Sequence, residues 1–204
     1  MGLSNFSYSF NDDDPKSRLG LTIKGTLLDL TFVSFPSINL ASDIYLDAER
    51  TKSFEIGAGY ILYSLDEEVK AQGFLTSFRY QHLLSETYDN HRFFLGLGLH
   101  YANAKINDYL LVKNMYKGNA YYQYQLLDHH KIRYGGAVEV IYQTNSSSTR
   151  LFLELSAGLG GTYFETVVPN QVIQKDFKNG IVYAQRQTFL VPIFRMKMGY
   201  KLLH

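Results

Sequence analysis

The chain has 204 residues, and 20 Lys+Arg against 19 Asp+Glu leave a formal charge of +1, which argues against nucleic acid as a partner. It holds no cysteine and no tryptophan but 17 Tyr and 14 Phe, which excludes a disulfide scaffold, a thiolate metal centre and a cysteine nucleophile. The longest nearly unbroken apolar run, Phe93 to Leu99, is far shorter than the ~20 residues of a spanning helix, so a transmembrane helix is excluded and a transmembrane strand is not.

At the start, Met1-Gly2 precedes Leu3-Ser4-Asn5-Phe6, without the basic region and apolar stretch of a signal peptide. Phe6 stands where N-myristoylation requires Ser or Thr. Two readings follow: a cytosolic protein beginning at its own Met, or an exported one whose leader was replaced by Met-Gly. The strand pattern decides between them.

Period-2 alternation, with almost no helical periodicity, predicts eight strands over 18–31, 36–46, 53–64, 71–84, 92–107, 131–143, 149–167 and 182–203. In the third, Phe54, Ile56, Ala58, Tyr60 and Leu62 alternate with Glu55, Gly57, Gly59, Ile61 and Tyr63. In the fourth, Phe74, Thr76, Phe78 and Tyr80 oppose Leu75, Ser77, Arg79 and Gln81; in the fifth, Phe93, Leu95, Leu97, Leu99 and Tyr101 oppose Phe94, Gly96, Gly98, His100 and Ala102. The sixth and seventh set Val138, Val140 and Leu151, Leu153, Leu155 against Arg133, Glu139 and Glu154, and the last sets Phe194, Met196, Met198 and Tyr200 against Arg195, Lys197 and Gly199. The runs exceed the usual strand of about five or six residues. The second face is rich in glycine and carries isolated charges of both signs.

On a soluble sandwich such a face would meet water, where glycine only weakens a strand. In a membrane barrel the faces are inverted, with apolar residues on lipid and the polar set filling a narrow lumen. Lys24, Arg79, Arg133, Arg195 and Lys197 are therefore expected to pair in the lumen with Asp43, Glu55, Glu139 and Glu154, and His100 shares their parity. Connectors are short except at 108–130 and 168–181, an asymmetry expected of outer-membrane barrels. The expectation is one all-β domain over 1–204: an eight-stranded antiparallel up-and-down transmembrane β-barrel. Residues 1–16 form an N-terminal segment, and 108–130 and 168–181 are long extracellular loops, the first drawn into a hairpin arm. Ten strands are the alternative, if Phe6–Phe10 and 117–128 both join the sheet.

The stretches Ile23-Lys24, Leu27-Leu28, Pro36-Ser37-Ile38-Asn39-Leu40 and Ser53-Phe54-Glu55-Ile56-Gly57-Ala58-Gly59-Tyr60 resemble the opening hairpins of small Bacteroidetes-type outer-membrane β-barrels of uncharacterised function. The last strand is similar to the carboxy-terminal signal read by the barrel-assembly machinery, with Lys197, Gly199 and Leu202 in place and His204 where an aromatic is usual. The resemblance implies a bacterial outer membrane, with its lipid and lipopolysaccharide and the assembly machinery as partners. It implies nothing about activity.

Several motifs carry candidate chemistry. His100-Tyr101-Ala102-Asn103-Ala104 resembles the His-x-Ser-Asn-Ala stretch of outer-membrane lipid A deacylases, yet Ala102 stands at the nucleophile, so His100 reads as a structural lumen residue. His129-His130 reads as a solvated loop tip, because adjacent residues of an extended chain point to opposite sides. His82 and His91 flank a turn. Asp12-Asp13-Asp14 and Asp66-Glu67-Glu68 lack the spacing of a calcium loop and read as solvated turns. Gly158-Leu159-Gly160-Gly161 lacks the Lys-Ser/Thr of a phosphate loop, and the sequons at Asn5 and Asn145 carry no meaning in a bacterial barrel. Tyr45, Tyr60, Tyr63, Tyr80, Tyr101, Tyr142, Tyr163 and Tyr200 are expected to form interfacial girdles.

The functional expectation is a non-enzymatic membrane scaffold or accessory subunit with a side-chain-filled lumen and no cofactor or metal. Its loops would bind a partner protein or surface glycan through Tyr109, Tyr116, Tyr121, Tyr122, Tyr124 and Phe177, with Val172 and Ile173 beside the last. The alternatives are a lipid-modifying enzyme of the outer leaflet and a soluble barrel that encloses an apolar ligand with the faces reversed.

Overall fold

The structure is a computed structural model, and it describes residues 20–29, 37–47, 49–64, 69–87, 91–144, 150–167 and 186–203. The segment 1–16, the connector 168–181 with Val172, Ile173 and Phe177, the acidic clusters at 12–14 and 66–68, and Asn145 lie outside these residues.

Eight antiparallel strands follow one another around a closed ring: β1 (Leu21–Asp29), β2 (Ser37–Tyr45), β3 (Lys52–Ser64), β4 (Val69–Glu86), β5 (Arg92–Tyr116), β6 (Asn119–Gln143), β7 (Leu151–Val167) and β8 (Arg186–Leu203). Each strand pairs with its sequence neighbours, and β1 closes onto β8, so among the described residues every strand has a partner on both sides. Ten strands are not seen among the described residues.

The alternation read from the sequence sorts the faces. Ile56, Phe78, Leu97, Val138, Leu159 and Phe194 stand outside, each 41–57% exposed, while their neighbours Glu55, Arg79, Glu139 and Arg195 are buried within. At β1 a bulge between Thr26 and Leu28 re-aims the strand. Thr22 and Lys24 point inward before it; Asp29, of opposite parity, meets Arg195 after it, with 3.3 Å between Oδ2 and Nε.

Two apolar layers bracket the interior. At the end of the short turns, Tyr45, Phe94, Ile141 and Phe152 are buried. Tyr45 was expected in an outer girdle; it lies inside at 5% exposure, since it shares parity with Asp43 on β2, and Arg50 sits over its ring at 5.7 Å. Towards the other end, Ile61, Ala71, Leu75, Ala102, Ala104 and Ile106 form one buried cluster.

Strands β5 and β6 run far past their neighbours. The stretch 108–130, expected as a long loop drawn into a hairpin arm, is a continuation of both strands as a regular two-stranded ribbon, paired residue for residue from Asn107↔Asp128 to Tyr116↔Asn119. Lys117 and Gly118 turn it with φ of 50° and 83°. Positive φ at both central residues is the two-residue hairpin turn whose twist matches the strands it joins.

Candidate functional site

The middle of the ring is a lattice of ion pairs to which every strand but β5 contributes a charge. Lys24 on β1 places Nζ 2.6 Å from Asp43 and 3.0 Å from Glu55, and also contacts Glu154. Arg79 on β4 reaches Glu55 at 2.6 Å and Glu139 at 3.2 Å, and contacts Glu154 as well. From β8, Lys197 donates to Glu55 at 2.6 Å and Arg195 lies 2.5 Å from Glu139, which also accepts the Ser156 hydroxyl at 2.8 Å. Four cations thus face four carboxylates, all nearly inaccessible to solvent. A buried charge without a partner is expensive, and each of these eight has at least one partner of opposite sign, with Asp29 adding a second carboxylate to Arg195 at the edge of the lattice.

Strand β5 supplies room instead of charge. A Cβ on Gly96 would lie 3.3 Å from Arg79 Cδ and 2.8 Å from Ile141 Cδ1, so glycine lets the Arg79 stem cross the ring. Gly199 performs the same service for Phe152, whose ring would sit 2.1 Å from a Cβ there.

All ten residues expected in the lumen are buried: Lys24, Asp43, Glu55, Arg79, His100, Arg133, Glu139, Glu154, Arg195 and Lys197. Eight of them form the lattice. His100 and Arg133 sit nearer the arm, where His100 Nε2 is 3.2 Å from Thr162 Oγ1 and the Arg133 guanidinium stacks 4.0 Å from the Phe164 ring. The reversed-face arrangement, with Lys24, Glu55, Arg79, Glu139, Glu154 and Arg195 in water, does not describe this ring.

Sequence reasoning omitted Asp29, Gln81, Ser156 and Thr162. The last three share parity with Arg79 and Glu154 and were legible; Asp29 was hidden by the bulge.

Asp43, Glu55 and Glu154 have the carboxylate grouping of a cation site, and the Lys24 ammonium occupies its centre. A cavity of about 20 Å³, room for roughly one water, lies beside Asp29, Asn39, Ser77, Arg195 and Lys197. Of the segment that resembles the deacylase motif, His100, Ala102 and Ala104 face the interior, whereas Tyr101 and Asn103 lie on the outer wall. Of the assembly-signal residues, Lys197 and Gly199 pack inside as described and Leu202 is 39% exposed.

The outer wall is banded. Phe54–Tyr80 (5.4 Å between ring centroids) and Phe93–Tyr142 (5.2 Å) cluster towards the turn end, and Phe74–Tyr101 (5.8 Å) and Tyr134–Tyr163 (4.8 Å) towards the arm end. Between them lie aliphatic residues such as Leu97, Leu99, Val138 and Val140. Above the second aromatic band comes a polar collar, in which Lys105 lies 2.7 Å from Asp128, Asn107 donates to Asp128 at 2.9 Å and His130 contacts Asn103 at 3.2 Å. The hydrogen bonds from Lys105 and Asn107 hold the Asp128 carboxyl below its ordinary range.

Beyond the collar the arm turns aromatic again. Tyr109, Tyr116, Tyr121, Tyr122 and Tyr124 are 46–66% exposed. His129 and His130 are not a loop tip: both lie within β6, paired with Ile106 and Lys105, His129 buried and His130 exposed.

Comparison of the chain with family models, with curated protein sequences and with solved structures returned no match, so the likeness to Bacteroidetes-type outer-membrane barrels rests on its sequence pattern alone.

Proposed function

We propose that the protein spans a bacterial outer membrane as a β-barrel, plugged by its own side chains, and holds the β5–β6 arm above the surface as a recognition element. The observation that carries this reading is the inversion of the usual order: an ion-pair lattice inside a ring whose outer wall is aliphatic. In water each outward Leu or Ile at about half exposure would forgo roughly 1–2 kcal/mol of burial, repeated around every strand. In lipid that surface is already in its preferred solvent.

The bands support the same reading. From Phe93 to Tyr101 the strand rises about 26 Å at ~3.3 Å per residue, or about 20 Å along the axis at a usual barrel tilt of ~40°, close to the ~25 Å apolar band of such barrels. Aromatic rims at both edges suit the headgroup layers, and the polar collar suits the water beyond. The lattice and its two apolar caps favour a closed frame over a porin-like channel, since eight strands leave only enough interior for side chains.

Refolding into vesicles with brominated acyl chains tests this. With 17 Tyr and no Trp, tyrosine fluorescence is the reporter. The expected outcome is strong quenching, flotation with the vesicles and a gel mobility that changes on heating. A protein that stays monodisperse without detergent and neither floats nor quenches would overturn the reading.

A further inference from the structure

We infer that the outward face of the β5–β6 arm binds an acidic polysaccharide of the cell surface; this rests on the proposed membrane orientation and names the partner of the recognition element. The face continues the outer wall of the ring past the collar, and carries Tyr109, Tyr122 and Tyr124 at 66%, 59% and 56% exposure with Leu126 and Met115 beside them. On the opposite face Val112 is fully buried and Leu110, Asn114, Gln125 and Leu127 are half-buried, with Tyr116 and Tyr121 exposed nearer the tip, so the outward face is the more open of the two.

Three features select the ligand. Tyr122 and Tyr124 alternate along one strand, which sets their rings about 7 Å apart, so each meets a different unit of an extended chain. A tyrosine offers an apolar ring face for sugar C–H groups and a hydroxyl for sugar oxygens, and its two side-chain torsions make it inexpensive to order. Finally, residues 109–127 include Lys113 and Lys117 and no Asp or Glu. Among the described residues, the carboxylates that flank this stretch in sequence are at the base of the ribbon: Asp128, held by Lys105, and Asp108, which accepts the Tyr109 N–H at 2.7 Å. A positive, aromatic ribbon free of carboxylates complements a negatively charged chain with stackable rings. Lys117 sits at the tip, its ammonium 5.3 Å from the Tyr116 ring, where it adds charge without crowding the face.

The test is affinity electrophoresis of the full chain, folded in detergent micelles, through gels holding polygalacturonate, neutral dextran or poly-glutamate. The expected result is retardation by polygalacturonate alone, diminished by salt, and weakened about tenfold by Tyr122→Ser with Tyr124→Ser, of the order of losing one or two aromatic contacts. Lys117→Glu, at an exposed turn, should weaken it without touching the rings. Heat-modifiable mobility checks that each variant is folded. No retardation by polygalacturonate, equal retardation by dextran, stronger retardation by poly-glutamate, or an unchanged tyrosine variant would each overturn the inference. Vesicle flotation is read separately, so failure of sugar binding in a protein that floats removes this partner and leaves the membrane reading standing.

Discussion

Replacing Arg79 by methionine keeps the length of the stem that crosses Gly96 and removes only the guanidinium. Glu55, Glu139 and Glu154 each lose a contact, and the lattice passes from four cations and four carboxylates to three against four. Breaking a buried pair by deleting one partner costs about 3–5 kcal/mol, because the surviving charge is left in a dry interior. At about 1.4 kcal/mol per decade that is roughly two to three and a half powers of ten in the folded ratio. Glu154→Gln is the matched rescue: Lys24 keeps Asp43 and Glu55, Lys197 keeps Glu55, and Arg195 keeps Glu139 and Asp29. The double variant restores the parent's balance of charge, and a coupling of about 2 kcal/mol is expected in a double-mutant cycle of urea unfolding in vesicles, followed by gel mobility. Arg79→Met within about 0.5 kcal/mol of the parent, or strict additivity with Glu154→Gln, would refute the lattice argument, since independent surface sites behave that way.

Other perturbations address other layers. Val138→Arg, on the aliphatic belt, should lose about 2–4 kcal/mol in vesicle unfolding, whereas Tyr124→Arg on the arm should change it by less than about 0.5 kcal/mol. Gly199→Ala should lose about 1–3 kcal/mol by driving a methyl into the Phe152 ring, and Phe152→Leu in the same chain should recover part of it, which separates a packing role from an assembly signal. The depressed pKa of Asp128 stabilises the collar fully above the unfolded carboxyl value, and the contribution fades as pH falls through the lower folded value; a carbon-detected NMR titration should place Asp128 below ordinary aspartate, and Lys105→Ala should move it up.

The ring was legible in the sequence because its two faces differ in a way that only inversion explains. Glycine next to Arg79 or Glu139 is poor on a wet surface and sensible where side chains must cross a lumen, so parity alone placed inside all ten residues expected there. Parity failed where the backbone broke step. The bulge at Thr26–Leu28 concealed Asp29, and Tyr45 was assigned by its position near a strand end, although its parity with Asp43 turned it inward. The arm was legible as a hairpin, but not as an unbroken continuation of two wall strands. Its strands hold Leu110-Leu111-Val112 and Tyr121-Tyr122, apolar on both faces, so period-2 contrast vanishes although the backbone is a regular ladder. Lys117-Gly118 is also a weaker hairpin signal than Asn-Gly, since lysine gives up more to reach positive φ.

The seam between the first and last strands carries a further consequence. Lys24 is held by carboxylates from β2, β3 and β7, and Lys197, 142 residues from Glu55, answers it from the far end of the chain. A slip of one residue where β8 zips onto β1 would swing the Lys197 ammonium to the greasy side and take one of the three cations from Glu55, while a slip of two would leave the partners a rung apart. The polar filling therefore serves as a proofreader: it checks that the cylinder has been sewn shut on the right stitch, and rejects misaligned closures by several kcal/mol before they can persist.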